Sequence, residues 1–179
     1  MKRTISAGAV LSLFLSFAAG ATEPAKVLNA KVTRSTGEDA QLSWYWGKPV
    51  ILVYEDPSSV KLNQPAKDEL KRLSELYNLR KVVDVVAVAN LEGLDWWPAK
   101  PIALSMVRAE ETRGQLPVLV DMTGELRKAP WNLNPKSSTM MVVSPKGELL
   151  FKNEGKLEGR RLDELKATLE RLLTATSSR

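Results

Sequence analysis

The 179-residue chain contains no cysteine and no histidine. The first absence removes the thiolate nucleophile, disulfide exchange and sulfur-based peroxide reduction. It also removes a lipid anchor carried on an N-terminal cysteine. The second removes the imidazole base and the histidine metal ligand. Phenylalanine and tyrosine are scarce at three each, while tryptophan reaches five. There is no Walker-type glycine loop, no Gly-x-Gly-x-x-Gly and no zinc-ligand spacing, so no nucleotide, flavin or metal cofactor is expected. The formal net charge is only +5, and its basic residues are interleaved with acids rather than clustered, which argues against nucleic acid as a partner.

What is present begins with a leader. Lys2 and Arg3 precede an apolar stretch from Ala7 to Ala19 that includes Leu11, Leu13, Phe14, Leu15 and Phe17. Ala19-Gly20-Ala21 supplies the small residues that a signal peptidase reads, so residues 1–21 read as a signal peptide cleaved between Ala21 and Thr22. The apolar run falls short of the roughly 20 residues that span a bilayer; the alternative reading is an uncleaved N-terminal anchor. A cleaved leader places the mature chain in the periplasm or outside the cell. The remainder is the length of one domain, large enough to bury a core without disulfides.

Val27–Thr33 alternates as a half-buried strand does, and so do Leu42, Trp44 and Trp46, which puts the two tryptophans on one face. Val50–Tyr54 is a continuous apolar run, the signature of a central strand covered on both sides. Asp56-Pro57-Ser58-Ser59 forms a turn into a helix that keeps 3.6-residue spacing from Leu62 through Tyr77. Val82–Ala89 is a second buried strand. Residues 90–101 form a loop with Trp96, Trp97 and Pro98, followed by a short helix ending near Gly114. Leu116–Val120 is a strand, and Glu125–Leu133 is a helical turn containing Trp131. Thr139–Val143 and Glu148–Phe151 make a hairpin across Ser144-Pro145-Lys146-Gly147. A final helix begins near Arg161 and aligns Leu162, Leu165 and Leu169. Strands and helices in alternation predict an α/β domain of three layers, α/β/α, around a central mixed sheet.

Gly47-Lys48-Pro49 with Val50–Tyr54, the Asp121-Met122-Thr123-Gly124 turn and the hairpin after Ser138 together resemble thioredoxin-like proteins over residues 45–173. More specifically, Trp131, then Lys136-Ser137-Ser138, an apolar strand and Lys146 with Gly147 resemble the YtfJ family of exported thioredoxin-like proteins. The resemblance implies a thioredoxin-like domain at 45–173, an N-terminal β extension at 22–44 and a flexible tail at 174–179. It also implies that Ser58–Leu62 stand where relatives carry Cys-x-x-Cys, with Ser59 in place of the reactive cysteine. Ser138 stands where relatives carry a cis-proline. A non-proline cis bond costs about 3 kcal/mol, so a trans link is expected there. With both parts of the redox machinery replaced, the fold carries over and the redox activity does not.

Three functional readings follow. The first is a redox-inactive module that binds an envelope protein or peptide, with Trp96, Trp97, Trp131, Lys136 and Ser137 as candidate binding residues. The second is a cysteine-free hydrolase using a Ser59/Lys61 dyad near Ser138. The third is a small-ligand or cation carrier at the carboxyl end of the sheet, where Glu55, Asp56 and Asp121 gather. Each has a plainer structural counterpart: Ser58 and Ser59 as helix-start caps, the carboxylates as turn formers, and the tryptophans as covers for the edge of the core.

Overall fold

The computed structural model describes residues 29–177. The expected leader, its Ala21/Thr22 junction and the start of the first strand at Val27 lie outside these residues. The strands are β1 (Lys31–Arg34), β2 (Asp39–Gln41), β3 (Val50–Glu55), β4 (Asp84–Asn90), β5 (Val118–Asp121), β6 (Thr139–Val143) and β7 (Leu149–Glu154). The helices are α1 (Gln64–Tyr77), α2 (Ala99–Gly114) and α3 (Gly159–Ser177). The seven strands form one mixed sheet in the order β2-β1-β5-β4-β3-β6-β7. β3, β4 and β5 are parallel neighbours, whereas β1, β2, β6 and β7 run antiparallel to theirs.

The register explains why the central strands are apolar throughout. Val50, Leu52 and Tyr54 look to one side with Val86, Val88, Leu119 and Met141; Ile51 and Val53 look to the other with Met140 and Val142. The second side carries all three α-helices, with Ala66 of α1 and Leu165 and Leu169 of α3 over β3 and β6. Ala103, Leu104 and Val107 of α2 lie over Val118 and Val120. The first side has no α-helix. The edge hairpin adds Val32 and Ala40 to the core on this side, which is covered by Leu42 and by Leu126, Trp131 and Leu133 from the β5–β6 connection. The layers are therefore unequal: three α-helices on one face, extended chain and 3₁₀ turns on the other.

Several local expectations are corrected. Leu42–Tyr45 is a 3₁₀ helix, not a strand. Residues two apart diverge in a three-residue turn, so Trp44 and Trp46 do not share a face. Leu42 is fully buried and Trp46 packs against the core, while Trp44 is exposed beneath the Arg34 guanidinium, 5.5 Å from its ring centroid. α1 starts at Gln64, leaving Leu62 outside it; Pro65 sits in the first turn, where its missing N–H costs nothing. α2 begins inside the segment read as loop and runs for 16 residues, with Pro101 in its first turn. The turn expected over Glu125–Leu133 is helical only at Glu125–Arg127 and excludes Trp131. α3 continues to Ser177, past position 174 where the tail was placed.

Candidate functional site

The loops after β3, β4 and β5 all open at the carboxyl end of the parallel strands. The residue preceding β6 joins them there, because Thr139 pairs with Tyr54 and so sets Ser138 beside Glu55. Ser138 is completely buried. Its hydroxyl donates to Glu55 Oε1 at 2.6 Å and accepts from Asn63 Nδ2 at 2.9 Å. The other Glu55 oxygen accepts from Lys67 Nζ at 2.7 Å, and Lys67 also donates to the Val60 carbonyl at 2.8 Å. Asn63 donates in addition to the Gly155 carbonyl at 2.9 Å and accepts from the Leu157 N–H at 2.7 Å. The Ser138 carbonyl accepts from Gly155 N–H at 2.9 Å. Both oxygens of one buried carboxylate, one hydroxyl and both ends of one amide are thus engaged, and they tie α1 to β3, β6 and the chain leaving β7. A buried polar cluster is stable only when its members are satisfied, and this one is.

The neighbouring turn is equally self-contained. Asp56 Oδ1 accepts from the N–H groups of Ser58 and Ser59 at 3.0 and 2.8 Å, and from the Ser58 hydroxyl at 2.8 Å. Burial raises the Asp56 pKa, but these bonds from Ser58 and Ser59 outweigh it and hold the carboxyl below its ordinary value. The Ser59 hydroxyl donates to the Asp56 carbonyl at 3.2 Å and accepts the Asp56 N–H at 3.0 Å. The Ser59/Lys61 dyad expected near Ser138, and Ser58 beside it, make no hydrogen bond to the Ser138 hydroxyl. The partners of Ser138 are Glu55 and Asn63; Ser59 is spent on its own turn, and Lys61 and Leu62 lie exposed beyond it. The cis peptide bonds among the described residues are Trp97–Pro98 and Ala129–Pro130, so Ser138 follows a trans bond as expected.

The carboxylates at the strand ends do not share a site. Glu55 pairs with Lys67 and Asp56 caps its turn. Buried Asp121 accepts the N–H groups of Glu125 and Leu126 at 2.8 and 2.9 Å. Among the described residues no group of three acidic side chains is placed to hold a cation. Two buried hydroxyls on the helix-free face, Tyr54 Oη and Thr139 Oγ1, have no hydrogen-bond partner. Burial, and then the nearby Asp121 charge, push the Tyr54 phenol well above its ordinary pKa, so it stays protonated.

The other candidates separate. Trp131 is half-buried against the core. Lys136 is exposed, and its N–H is held by Asn134 Oδ1 at 3.1 Å; Ser137 is buried beside it. Trp96 and Trp97 are 58% and 81% exposed, so neither covers the core. Their loop is nonetheless fixed. Trp96 Nε1 donates to the Gly93 carbonyl at 3.1 Å, and Lys100 pairs with Asp95 at 2.7 Å. Glu92 pairs with Arg127 from the β5–β6 connection. Asn63 and Lys67 escaped the sequence reading. An asparagine before Gln64-Pro65 marks a helix start, but nothing local shows that its amide reaches residues 138, 155 and 157.

With this geometry described, comparison with known proteins gives three findings. Residues 104–172 match the family described as "Bacterial protein of unknown function (YtfJ_HI0045)". No curated protein matches. Many solved structures do. A thiol-disulfide oxidoreductase from Bacteroides fragilis is similar at 20% identity and TM-score 0.55, over 82% of this chain and 98% of its own. An uncharacterised protein from Geobacillus kaustophilus is similar at 20% identity and TM-score 0.60, over 85% of this chain and 82% of its own. BsSco, of the Sco family of cytochrome c oxidase assembly proteins, is similar at 12% identity and TM-score 0.55, over 85% and 95%. At these identities the likeness concerns the fold: the chain has a thioredoxin-like fold, and it has no cysteine with which to run thiol–disulfide chemistry.

Proposed function

We propose that this chain is exported and acts as a redox-inactive binding module for a protein or peptide of the cell envelope, which it engages at the carboxyl end of the sheet. One observation carries the reading. Beside the Ser58–Leu62 turn, which the resemblance sets where thioredoxin-like relatives carry Cys-x-x-Cys, this chain places the closed Glu55–Ser138–Asn63–Lys67 cluster, and the largest exposed side chains on the loop after β4 are Trp96 and Trp97. A satisfied buried network gives rigidity rather than a nucleophile. Tryptophan is the residue most enriched among interface hot spots, and a loop held by its own hydrogen bonds loses little entropy on binding. The basic start, apolar run and small residues of positions 1–21, read as a signal peptide, are what support export.

The test is a photoreactive amino acid placed at Trp97 in cells, with a second placed at Leu76, which is 61% exposed on α1. The reading expects a discrete adduct from position 97 that is absent from 76 and lost when Trp96 is also replaced by alanine. Equal adducts from both positions, or none, would refute it. N-terminal sequencing of the purified chain checks export: the reading expects Thr22 first, and an intact Met1 on protein held in the cytoplasm would contradict it.

A further inference from the structure

The outer face of α2 extends the Trp96/Trp97 surface along the side of the molecule. Ala103, Leu104 and Val107 turn to the sheet, while Ile102 and Met106 stay 56% and 66% exposed. Ile102, Met106, Ala109 and Arg113 are spaced 4, 3 and 4 residues apart, the repeat that aligns side chains in a single seam between two helices. The small side chain at Ala109 permits close approach. Building on the binding reading above, we infer that this seam is occupied by a second copy of the same chain, with the two α2 helices packed antiparallel about a two-fold axis.

Three observations select that occupant. First, the seam is self-complementary in an isologous arrangement. Setting Ile102 of one copy against Met106 of the other also sets Ala109 against Ala99, so apolar side chains meet on both sides of the axis. Second, the area suffices. Taking ~150–250 Å² for a whole aromatic side chain, Trp96, Trp97, Ile102 and Met106 leave on the order of 500 Å² open per copy. Two copies then reach the ~1,000 Å² that a biological interface needs. Third, the cations around the seam are already engaged: Lys100 with Asp95, Arg113 with Glu110, and Arg108 with the Ser35 carbonyl. An anionic lipid surface would call for a free basic rim, whereas a seam between copies is well served by a neutralised one.

The experiment is sedimentation of the full chain and its variants at micromolar concentration. The unmodified chain is expected to be a dimer. Ile102→Glu and Met106→Lys should each weaken it by about thirtyfold or more, with unchanged circular dichroism because both positions are exposed. An equimolar mixture of the two variants should recover a 1:1 dimer, since the register sets the new acid against the new base. A monomeric unmodified chain overturns the inference, as does a dimer indifferent to both substitutions or a monomer that floats with anionic vesicles. A monomer that still gives the discrete Trp97 adduct would leave the binding reading standing and remove only this one.

Discussion

Replacing Asn63 with alanine takes away three hydrogen bonds with one small side chain. The Leu157 N–H, which donates to Asn63 Oδ1 at 2.7 Å, is left in the interior with no acceptor. The Gly155 carbonyl loses its 2.9 Å donor and keeps a weaker one from Asn153 Nδ2 at 3.3 Å. Ser138 Oγ keeps its bond to Glu55 but loses the amide that orients it. Each buried group left unpaired costs ~1–3 kcal/mol, so with one full orphan and two partial ones the expected loss is about 3–4 kcal/mol. That is a large share of the ~5–15 kcal/mol that holds a domain folded. Urea unfolding at neutral pH should show the midpoint falling with the slope unchanged, because the surface exposed on unfolding stays the same. A loss below ~1 kcal/mol would refute the reasoning: it would mean that water reaches the cluster, and that the cluster is neither dry nor what fixes α1 to β6 and the chain after β7.

Three further outcomes are expected. Lys67→Met strands the Glu55 carboxylate in the interior and should cost ~3–5 kcal/mol, whereas the double variant Glu55→Gln/Lys67→Met should cost less than Lys67→Met alone; denaturant titration of both checks this. Hydrogen bonds from Arg72, and then from Lys166 of α3, hold the Glu69 carboxyl at about 2 against an ordinary 4.5. A folded-state value below the unfolded one gives stability that is complete above pH 4.5 and lost as pH falls toward 2, so melting temperature should decline through that window and decline less in Glu69→Gln. Trp96→Ala/Trp97→Ala should leave the stability of the monomer within about 0.5 kcal/mol, measured by unfolding curves at concentrations too dilute for the dimer, because neither ring covers the core; a larger loss would mean that the loop packs differently.

The parallel heart of the sheet was legible because burial on both faces writes itself as unbroken apolar runs at Val50–Tyr54 and Val82–Ala89. The paired helices were legible from their spacing, and the absent redox chemistry from composition alone. Leu42-Ser43-Trp44-Tyr45-Trp46 misled because two tryptophans two residues apart imitate strand alternation, while the chain needs only to bury Leu42 and turn. The extent of α2 was hidden by Pro98 and Pro101, which read as loop residues and in fact sit at a helix start. At the site, Ser138 and Glu55 were each visible as candidates, but not as a pair. Their meeting depends on the register of β3 against β6, more than eighty residues apart along the chain, and Asn63 and Lys67 enter only once α1 has been placed. The serines of the Asp56 turn drew attention by type; their local bonds are what took them out of the site.

The helix-free face has a bearing on the order in which the molecule can be completed. Val32 and Leu42 belong to the core on that side, yet β1 has no strand of the parallel sheet to join until β5 exists: Thr33 pairs with Val120 and Arg34 with Leu119. β1 therefore waits for a partner made much later, and such distant pairings are the slow ones. Until then the core on this side lacks Ala30, Val32, Ala40 and Leu42. A chain cut at position 44 would lose those four core side chains and leave the apolar groups they meet open to other chains.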